Sequence, residues 1–118
     1  QIREPLELLR HTDVVLYGVG RAMELAQRRG MSPSERDELR AQGAVAEALG
    51  FYFDLQGNVV GGGASLAFEQ DEIGRKNRAA AVAAGSGKAE AILAVCAHHP
   101  HRLLVTDEGA ALRMMALL

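Results

Sequence analysis

The chain has 118 residues, of which 48% are apolar, and carries a formal net charge of −2. This length suits one domain or a large part of one, and the apolar content allows a packed core. The small net charge supplies no positive field for a nucleic-acid backbone, so this chain is not itself predicted to bind DNA.

Cysteine content and apolar runs predict the cellular compartment of the protein. Cys96 is the single cysteine, which excludes an internal disulfide and favours a reducing, cytoplasmic compartment. No apolar stretch approaches the roughly 20 residues of a membrane span. No secretory leader is recognisable at the start. The chain opens at Gln1 without a methionine, as an excised piece of a longer protein would.

The first third of the chain predicts helices around one strand. "REPLELLRHT" indicates a short helix, and "DVVLYGVG" indicates a buried parallel strand entering a loop. "RAMELAQRRG" predicts a helix that ends at Gly30. "MSPSERDELRAQG" predicts another after Pro33, with Ser34 as N-cap and Gly43 as the stop.

The middle of the chain, "AVAEALGFYFDLQGNVVGGG", predicts a small β-hairpin. A short helical turn is expected at Ala46–Ala48, followed by "FYFD", a turn at "LQGN" and the strand "VV". The glycines 61–63 mark a flexible crossing. The polar stretch "LAFEQDEIGRKNR" is predicted to contain one short helix.

The last third alternates strongly between strand and helix patterns. "AAAVAAG" and "RLLVT" predict strands, and "GKAEAILAVCAHH" and "DEGAALRMMALL" predict helices. Such alternation predicts a Rossmann-like, three-layer α/β fold with a parallel sheet. Ligands of these sheets bind beyond the carboxyl ends of the strands, here "YGVG", "AAGSGK" and "VTDEG".

The stretch "GSGK" resembles the phosphate loop of nucleotide hydrolases. That motif needs a glycine five residues before Gly87 and a hydroxyl residue after the lysine, but these positions are Val82 and Ala89. We therefore reject a nucleotide hydrolase. Lys88 still begins a predicted helix, where the dipole disfavours a cation. It is either a solvated surface lysine or a residue that faces an anionic ligand.

Several other residues allow both an ordinary and a functional interpretation. The motif formed by Gly18 and Gly20 is not followed by the third glycine and the acidic residue of a dinucleotide-binding fingerprint. The two glycines are therefore better explained by a tight strand-to-helix turn. Arg28 and Arg29 are by default cations at a helix end. Glu47 lies among apolar residues. It either turns to solvent or has a partner, because burying an unpaired carboxylate is costly.

The histidine-rich stretch "HHPH", with His98, His99 and His101, raises the hypothesis of a zinc site. The carboxylates and the cysteine nearby do not have the spacing of structural zinc ligands. A Gly-x-Ser-x-Gly nucleophile elbow is also absent from the sequence. We therefore predict no metal, no cofactor and no catalytic residue.

Four blocks of the sequence share their order and spacing with a known family. They are "DVVLYGVGRAMELAQRRG", "GAVAEALGFYFDLQGNVV", "VAAGSGKAEAI" and "LLVTDEGAA". Together they resemble the effector domain of the SorC-type sugar-responsive transcriptional regulators, over essentially the whole chain. The resemblance implies a fold like that of ribose-5-phosphate isomerase and glucosamine-6-phosphate deaminase.

The same resemblance implies an architecture and partners. Residues 1–118 would be the C-terminal part of a sugar/effector-binding domain. A helix-turn-helix domain upstream, absent from this chain, would bind operator DNA. The effector would be a phosphorylated sugar or a related small molecule, and its binding would alter conformation or oligomeric state. A homo-oligomer is expected.

The resemblance also implies roles for particular residues. Lys88 matches the family lysine of "GG..KAEAI", which reaches phosphate or hydroxyl groups of the effector. Glu47 matches the acid of "GAVGE", whose carboxylate suits sugar hydroxyl donors. Arg28 matches an arginine near the end of the first helix that contacts phosphate. Gly18 and Gly20 would line the mouth of the site with backbone.

The sequence thus predicts an effector-sensing module of a regulator of carbohydrate metabolism, not an enzyme. Two alternatives stay open. One is a sugar-phosphate isomerase or deaminase on the same fold, which fold alone does not exclude but which lacks a recognisable acid/base pair. The other is an oligomerisation domain that binds no ligand.

Overall fold

Strands form where short apolar runs end at glycine or polar residues. The computed structural model describes residues 3–62, 78–98 and 103–118. Its strands are β1 (Val14–Gly18), β2 (Gly20–Arg21), β3 (Ala46–Ala48), β4 (Phe51–Phe53), β5 (Val59–Gly61), β6 (Arg78–Val82) and β7 (Leu103–Val105). The predicted strands in "DVVLYGVG", "AAAVAAG" and "RLLVT" are therefore confirmed.

The helices lie close to where the sequence predicts them. They are α1 (Arg3–Arg10), α2 (Ala22–Arg28), α3 (Pro33–Ala41), α4 (Ala89–Cys96) and α5 (Glu108–Leu117), with a single 3-10 turn over Ser86–Lys88. The predicted N-cap at Ser34 is wrong. Ser32 caps α3 through a capping box, in which its hydroxyl accepts from the Glu35 N–H and its own N–H donates to the Glu35 carboxylate.

The parallel sheet has the strand order β1-β6-β7. Gly18 lies beside Val82, and Val82 lies beside Val105, so the carboxyl ends of the strands meet at one edge. On one face of this sheet, Val15, Tyr17, Ala79 and Ala81 are buried in the core. Helix α4 contributes Ala91, Ile92, Ala94 and Val95 to the same core. Burial of this apolar surface holds α4, and the loop before it, against the sheet.

The opposite face of the parallel sheet is apolar and open in the part of the chain that the structure describes. Its exposed side chains are Val14, Leu16, Val82, Leu103 and Val105, and Leu16 retains 70% of its accessible surface. Parallel sheets are normally covered on both faces. We call these five side chains the open face. The third layer of the predicted fold therefore stays a prediction, and the observed architecture is a mixed α/β arrangement.

The second sheet is antiparallel, with the order β2-β3-β4-β5. The predicted hairpin is confirmed as β4 and β5, joined by a turn in which Asp54 accepts hydrogen bonds from the backbone of Gln56 and Asn58. The helical turn predicted at Ala46–Ala48 is wrong. These residues form β3, which pairs with β2 on one side and β4 on the other. Non-local pairing thus overrides the helix propensity of alanine.

Some predictions lie outside the described residues. They include the short helix within "LAFEQDEIGRKNR" and the positions of His99 and His101. Within the described ranges, no group of three or more histidine, cysteine or acidic side chains could hold a metal ion. No helix there is both long enough and apolar enough to cross a bilayer.

Candidate functional site

The loop that follows β6 gives the site its shape. Gly85 has a φ of 100°, a conformation that side chains other than glycine rarely adopt. Its N–H donates to the Asp107 carboxylate, at 3.1 and 3.2 Å from the two oxygens. Asp107 also caps α5 by accepting from the Ala110 N–H at 2.9 Å. One carboxylate therefore ties the β6 loop to the helix that follows β7.

The Asp107 carboxylate is held in its ionised form by these contacts. The backbone N–H of Ala110, and then that of Gly85, lower the pKa of Asp107 below its ordinary value. A lowered pKa in the folded protein means that the stabilisation is present above the unfolded value of about 4 and is lost as the pH falls through the folded pKa.

Replacing Asp107 with alanine should lower the midpoint of thermal unfolding by a few degrees at pH 7, because α5 loses its cap and the loop loses its anchor. The difference between wild type and variant should shrink as the pH falls from about 4 through the lowered pKa at which Asp107 is protonated in the folded protein. Thermal unfolding over a series of pH values checks this. Asp107→Asn is the matched control, since asparagine still caps but carries no charge. Equal midpoints for Asp107→Ala and wild type at pH 7 would contradict the anchoring role.

Lys88 lies at the end of this loop, as the residue that precedes α4. The side chain is half-buried and caps no backbone group of the helix. The nearby helix dipole disfavours its charge. Its positive charge contributes, after those of Arg21 and Arg28, to lowering the pKa of the Glu24 carboxyl on α2.

Glu24 is the centre of a group of cations. Arg21 donates to its Oε2 from Nε at 3.0 Å and from Nη2 at 2.7 Å, and Arg28 donates to Oε1 from Nη2 at 2.9 Å. The hydrogen bond and charge of Arg21, then the charges of Arg28 and Lys88, lower the pKa of Glu24. We call Arg21, Arg28 and Lys88 the cation cluster. Two arginines thus contact the Glu24 carboxylate and the charge of Lys88 also acts on it, so the group carries three positive charges and one negative charge.

A cleft of about 220 Å³ adjoins the cation cluster. Its lining comes from β2 and α2, from the chain before β3, and from the loop and helix after β6, namely Arg21, Ala22, Met23, Ala44, Val45, Gly87, Glu90 and Ala91. Six of the lining residues are uncharged, and the other two, Arg21 and Glu90, carry opposite charges. A small polar ligand with an apolar face suits such a cleft.

Glu47 is buried in β3 and has a partner. The residue is 5% exposed, and its Oε1 accepts from Arg29 Nη2 at 2.8 Å and from the Gly50 N–H at 2.8 Å. Burial opposes the charge on Arg29, but the Glu47 carboxylate outweighs it and the pKa of Arg29 is raised. Of the two possibilities that the sequence left open, the structure therefore shows a carboxylate held by a partner.

The structure brings some of the predicted site residues together. Arg28 and Lys88 share the cation cluster. Gly18 ends β1 at the same sheet edge, and Gly20 lies opposite Glu47 in the β2–β3 pairing. An added methyl group at Gly20 would press on the Leu25 side chain, 2.6 Å from its Cδ2, so α2 packs closely here. Glu47 is joined to this region through Gly20 and not through the cation cluster.

Sequence reasoning missed four residues of this region, which are Arg21, Glu24, Arg29 and Asp107. A spacing signal existed for Arg21 and Glu24, since Glu24 lies three residues after Arg21 and four residues before Arg28. Nothing in the sequence indicated that Arg29 pairs with a residue 18 positions away.

Comparison with known proteins identifies the family. The family model named Sugar-bind, which describes a sugar-binding domain, matches residues 1–116. The chain belongs to this sugar-binding domain family. It is 36% identical over 110 residues to the central glycolytic genes regulator of Priestia megaterium, which covers 93% of this chain and 32% of that protein. The regulator of the same name from Bacillus subtilis is 36% identical over 114 residues.

Solved structures agree with this assignment. The chain superposes on a SorC family transcriptional regulator from Enterococcus faecalis with a TM-score of 0.91 at 36% identity, covering 97% of this chain and 47% of that chain. The sorbitol operon regulator SorC from Klebsiella pneumoniae shares the fold, with a TM-score of 0.75 at 20% identity. The predicted SorC-type family is therefore confirmed. This sugar-binding domain spans about a third of the curated relatives' length and about half of the Enterococcus chain.

Proposed function

We propose that this chain is the effector-sensing part of a transcriptional regulator of carbohydrate metabolism, and that it binds a phosphorylated sugar at the cation cluster. The observation that carries the proposal is the surplus of positive charge beside the 220 Å³ cleft, at the carboxyl edge of the parallel sheet. Relatives at 36% identity are named as regulators of glycolytic genes.

The chemistry of the cation cluster suits a phosphate. Arginine offers paired N–H donors and lysine a point charge, and both form strong hydrogen bonds with phosphate oxygens. Lys88 and Arg28 would bind the phosphate, while the backbone at Gly18 and Gly20 would border the mouth of the site. The uncharged part of the sugar would lie over Ala22, Met23 and Ala91 in the cleft.

Glu47 would act at the other side of this mouth. Its Oε1 is engaged by Arg29 and Gly50. A sugar hydroxyl would therefore reach the second carboxylate oxygen. We propose that the Arg29 pairing holds this oxygen in place, since a carboxylate that is fixed by one partner presents its other lone pairs in a defined direction.

The remaining polypeptide of the regulator would complete the domain. We propose that it covers the open face, because an apolar face of a parallel sheet requires a second layer, and because the Enterococcus chain is about twice as long as the part matched here. This layer would complete the Rossmann-like fold that resembles ribose-5-phosphate isomerase and glucosamine-6-phosphate deaminase. An upstream helix-turn-helix domain would then bind operator DNA in a cytoplasmic homo-oligomer.

Effector binding would act by shifting a conformational equilibrium. A ligand that binds one conformation more tightly than another favours the first, and this preference is transmitted to the DNA-binding domain. The proposed role is sensing, so the sugar phosphate should be released unchanged.

Replacing Lys88 with alanine should weaken the binding of sugar phosphates by roughly 10- to 100-fold, the value of one charge-assisted hydrogen bond. Isothermal titration of the full-length protein with a panel of sugar phosphates, and with the corresponding unphosphorylated sugars, measures this. Arg40→Ala is the matched control, because Arg40 pairs with Asp37 on the exposed side of α3 and lies outside the cation cluster. Its affinity should equal that of the wild type.

Three results would contradict the proposal. If none of the sugars or sugar phosphates binds, the result would favour the alternative of an oligomerisation domain that binds no ligand. Equal affinity for phosphorylated and unphosphorylated sugars would show that the phosphate group does not contribute to binding. Consumption of a sugar phosphate by the wild-type protein would mean that the protein is an isomerase or deaminase.

A further inference from the structure

The cation cluster already holds an anion of its own. The Glu24 carboxylate receives three hydrogen bonds from Arg21 and Arg28, and the charge of Lys88 also acts on it. An incoming phosphate would need the same donors. The proposed function does not explain why a phosphate site should contain a carboxylate at its centre, because like charges repel across so short a distance.

We propose that Glu24 competes with the effector's phosphate for Arg28, and thereby sets the effector concentration to which the protein responds. This inference rests on the proposed function. In the effector-free protein the carboxylate neutralises part of the cation cluster. On binding, the phosphate takes over the Arg28 guanidinium, while Glu24 keeps its pairing with Arg21.

The geometry indicates which of the two contacts is given up. Arg21 donates from both Nε and Nη2 to a single oxygen of Glu24, so two hydrogen bonds hold that pairing. Arg28 makes one contact, at 2.9 Å, and its side chain is 71% exposed. Ion pairs that are open to solvent are weak. A phosphate, with more charge and three acceptor oxygens, therefore replaces a carboxylate at Arg28.

The position of Glu24 makes this competition local. Glu24 is on the first turn of α2, three residues after Arg21, whose guanidinium also approaches Gly87 of the β6 loop. Lys88 is the next residue along that loop. A phosphate that contacts Lys88 and Arg28 would thus lie beside the Glu24 carboxylate, and the two anions would compete for the same donors.

The test is titration of the full-length protein with inorganic phosphate and with the sugar phosphate that binds most tightly in the panel. Glu24→Gln should bind both probes about two- to fivefold more tightly than wild type, the range expected from removing one exposed ion pair. Glu24→Asp keeps the charge and should stay near wild type. Glu4→Gln makes the same change of charge on α1, which precedes the amino end of β1, and should have no effect.

A double variant distinguishes competition from a structural effect. If Glu24 acts by occupying Arg28, the gain from Glu24→Gln should disappear in an Arg28→Ala background. Unchanged or weaker binding by Glu24→Gln, with normal binding by the wild type, would overturn the inference and make Glu24 a positioning residue for Arg28. Absence of binding in the wild type, or wild-type affinity in Lys88→Ala, would instead overturn the proposed function and this inference with it.

Discussion

Replacing Arg29 with alanine should lower the free energy of unfolding by about 2–3 kcal/mol, one of the two largest effects that we expect from a single substitution. The Glu47 side chain is only 6% exposed, and its ion pair with Arg29 is 2.8 Å long. Without Arg29, a buried carboxylate keeps the Gly50 N–H but loses its counter-charge. Breaking a fully buried ion pair lowers the free energy of unfolding by more than this. The value is reduced because Arg29 itself is 46% exposed.

Denaturant unfolding of Arg29→Ala at pH 7 measures the effect. Arg28→Ala is the matched control, since the neighbouring arginine has an exposed ion pair and should leave stability nearly unchanged while weakening effector binding. The double variant Arg29→Ala/Glu47→Gln should recover part of the loss, because it removes the unpaired charge. Equal stability of Arg28→Ala and Arg29→Ala would show that the Glu47 pair is not a structural element.

The second large effect concerns the open face of the parallel sheet. Leu16→Ala should lower the free energy of unfolding of the full-length protein by about 2–4 kcal/mol, the cost of truncating a leucine in a packed core. In the part of the chain described here, Leu16 is 70% exposed. A loss of this size would therefore require that the remaining polypeptide covers Leu16.

A matched leucine tests whether this loss is specific. Leu55 is 51% exposed in the turn of the β4–β5 hairpin, and Leu55→Ala should change stability by less than about 0.5 kcal/mol. A small effect at Leu16 would show that the face stays exposed in the full-length protein. A large effect that disappears on dilution would assign the cover to a second copy of the chain.

The sequence predicted those elements whose cause is local. The apolar runs at β1, β6 and β7 are bounded by glycine or polar residues, and the hairpin has a glycine–asparagine turn between β-forming residues. The capping box of α3 also has a local cause, since Ser32 and Glu35 have the required spacing, and the prediction of Ser34 as the N-cap was wrong. Strand β3 could not be predicted from the sequence, because its three residues, two of them alanine, form a strand only by pairing with β2 and β4.

The candidate site divides in the same way. The order and spacing of blocks such as "GSGKAEAI" predicted the family and the charged residues that follow the strands, because order and spacing are properties of the chain and do not depend on packing. The pairing of Arg29 with Glu47 depends instead on the tertiary structure, because the two residues are 18 positions apart in the chain. Arg28 and Arg29 are adjacent, but successive residues of a helix point about 100° apart. Arg28 therefore joins Glu24 in the cation cluster, whereas Arg29 reaches the buried Glu47 carboxylate on β3.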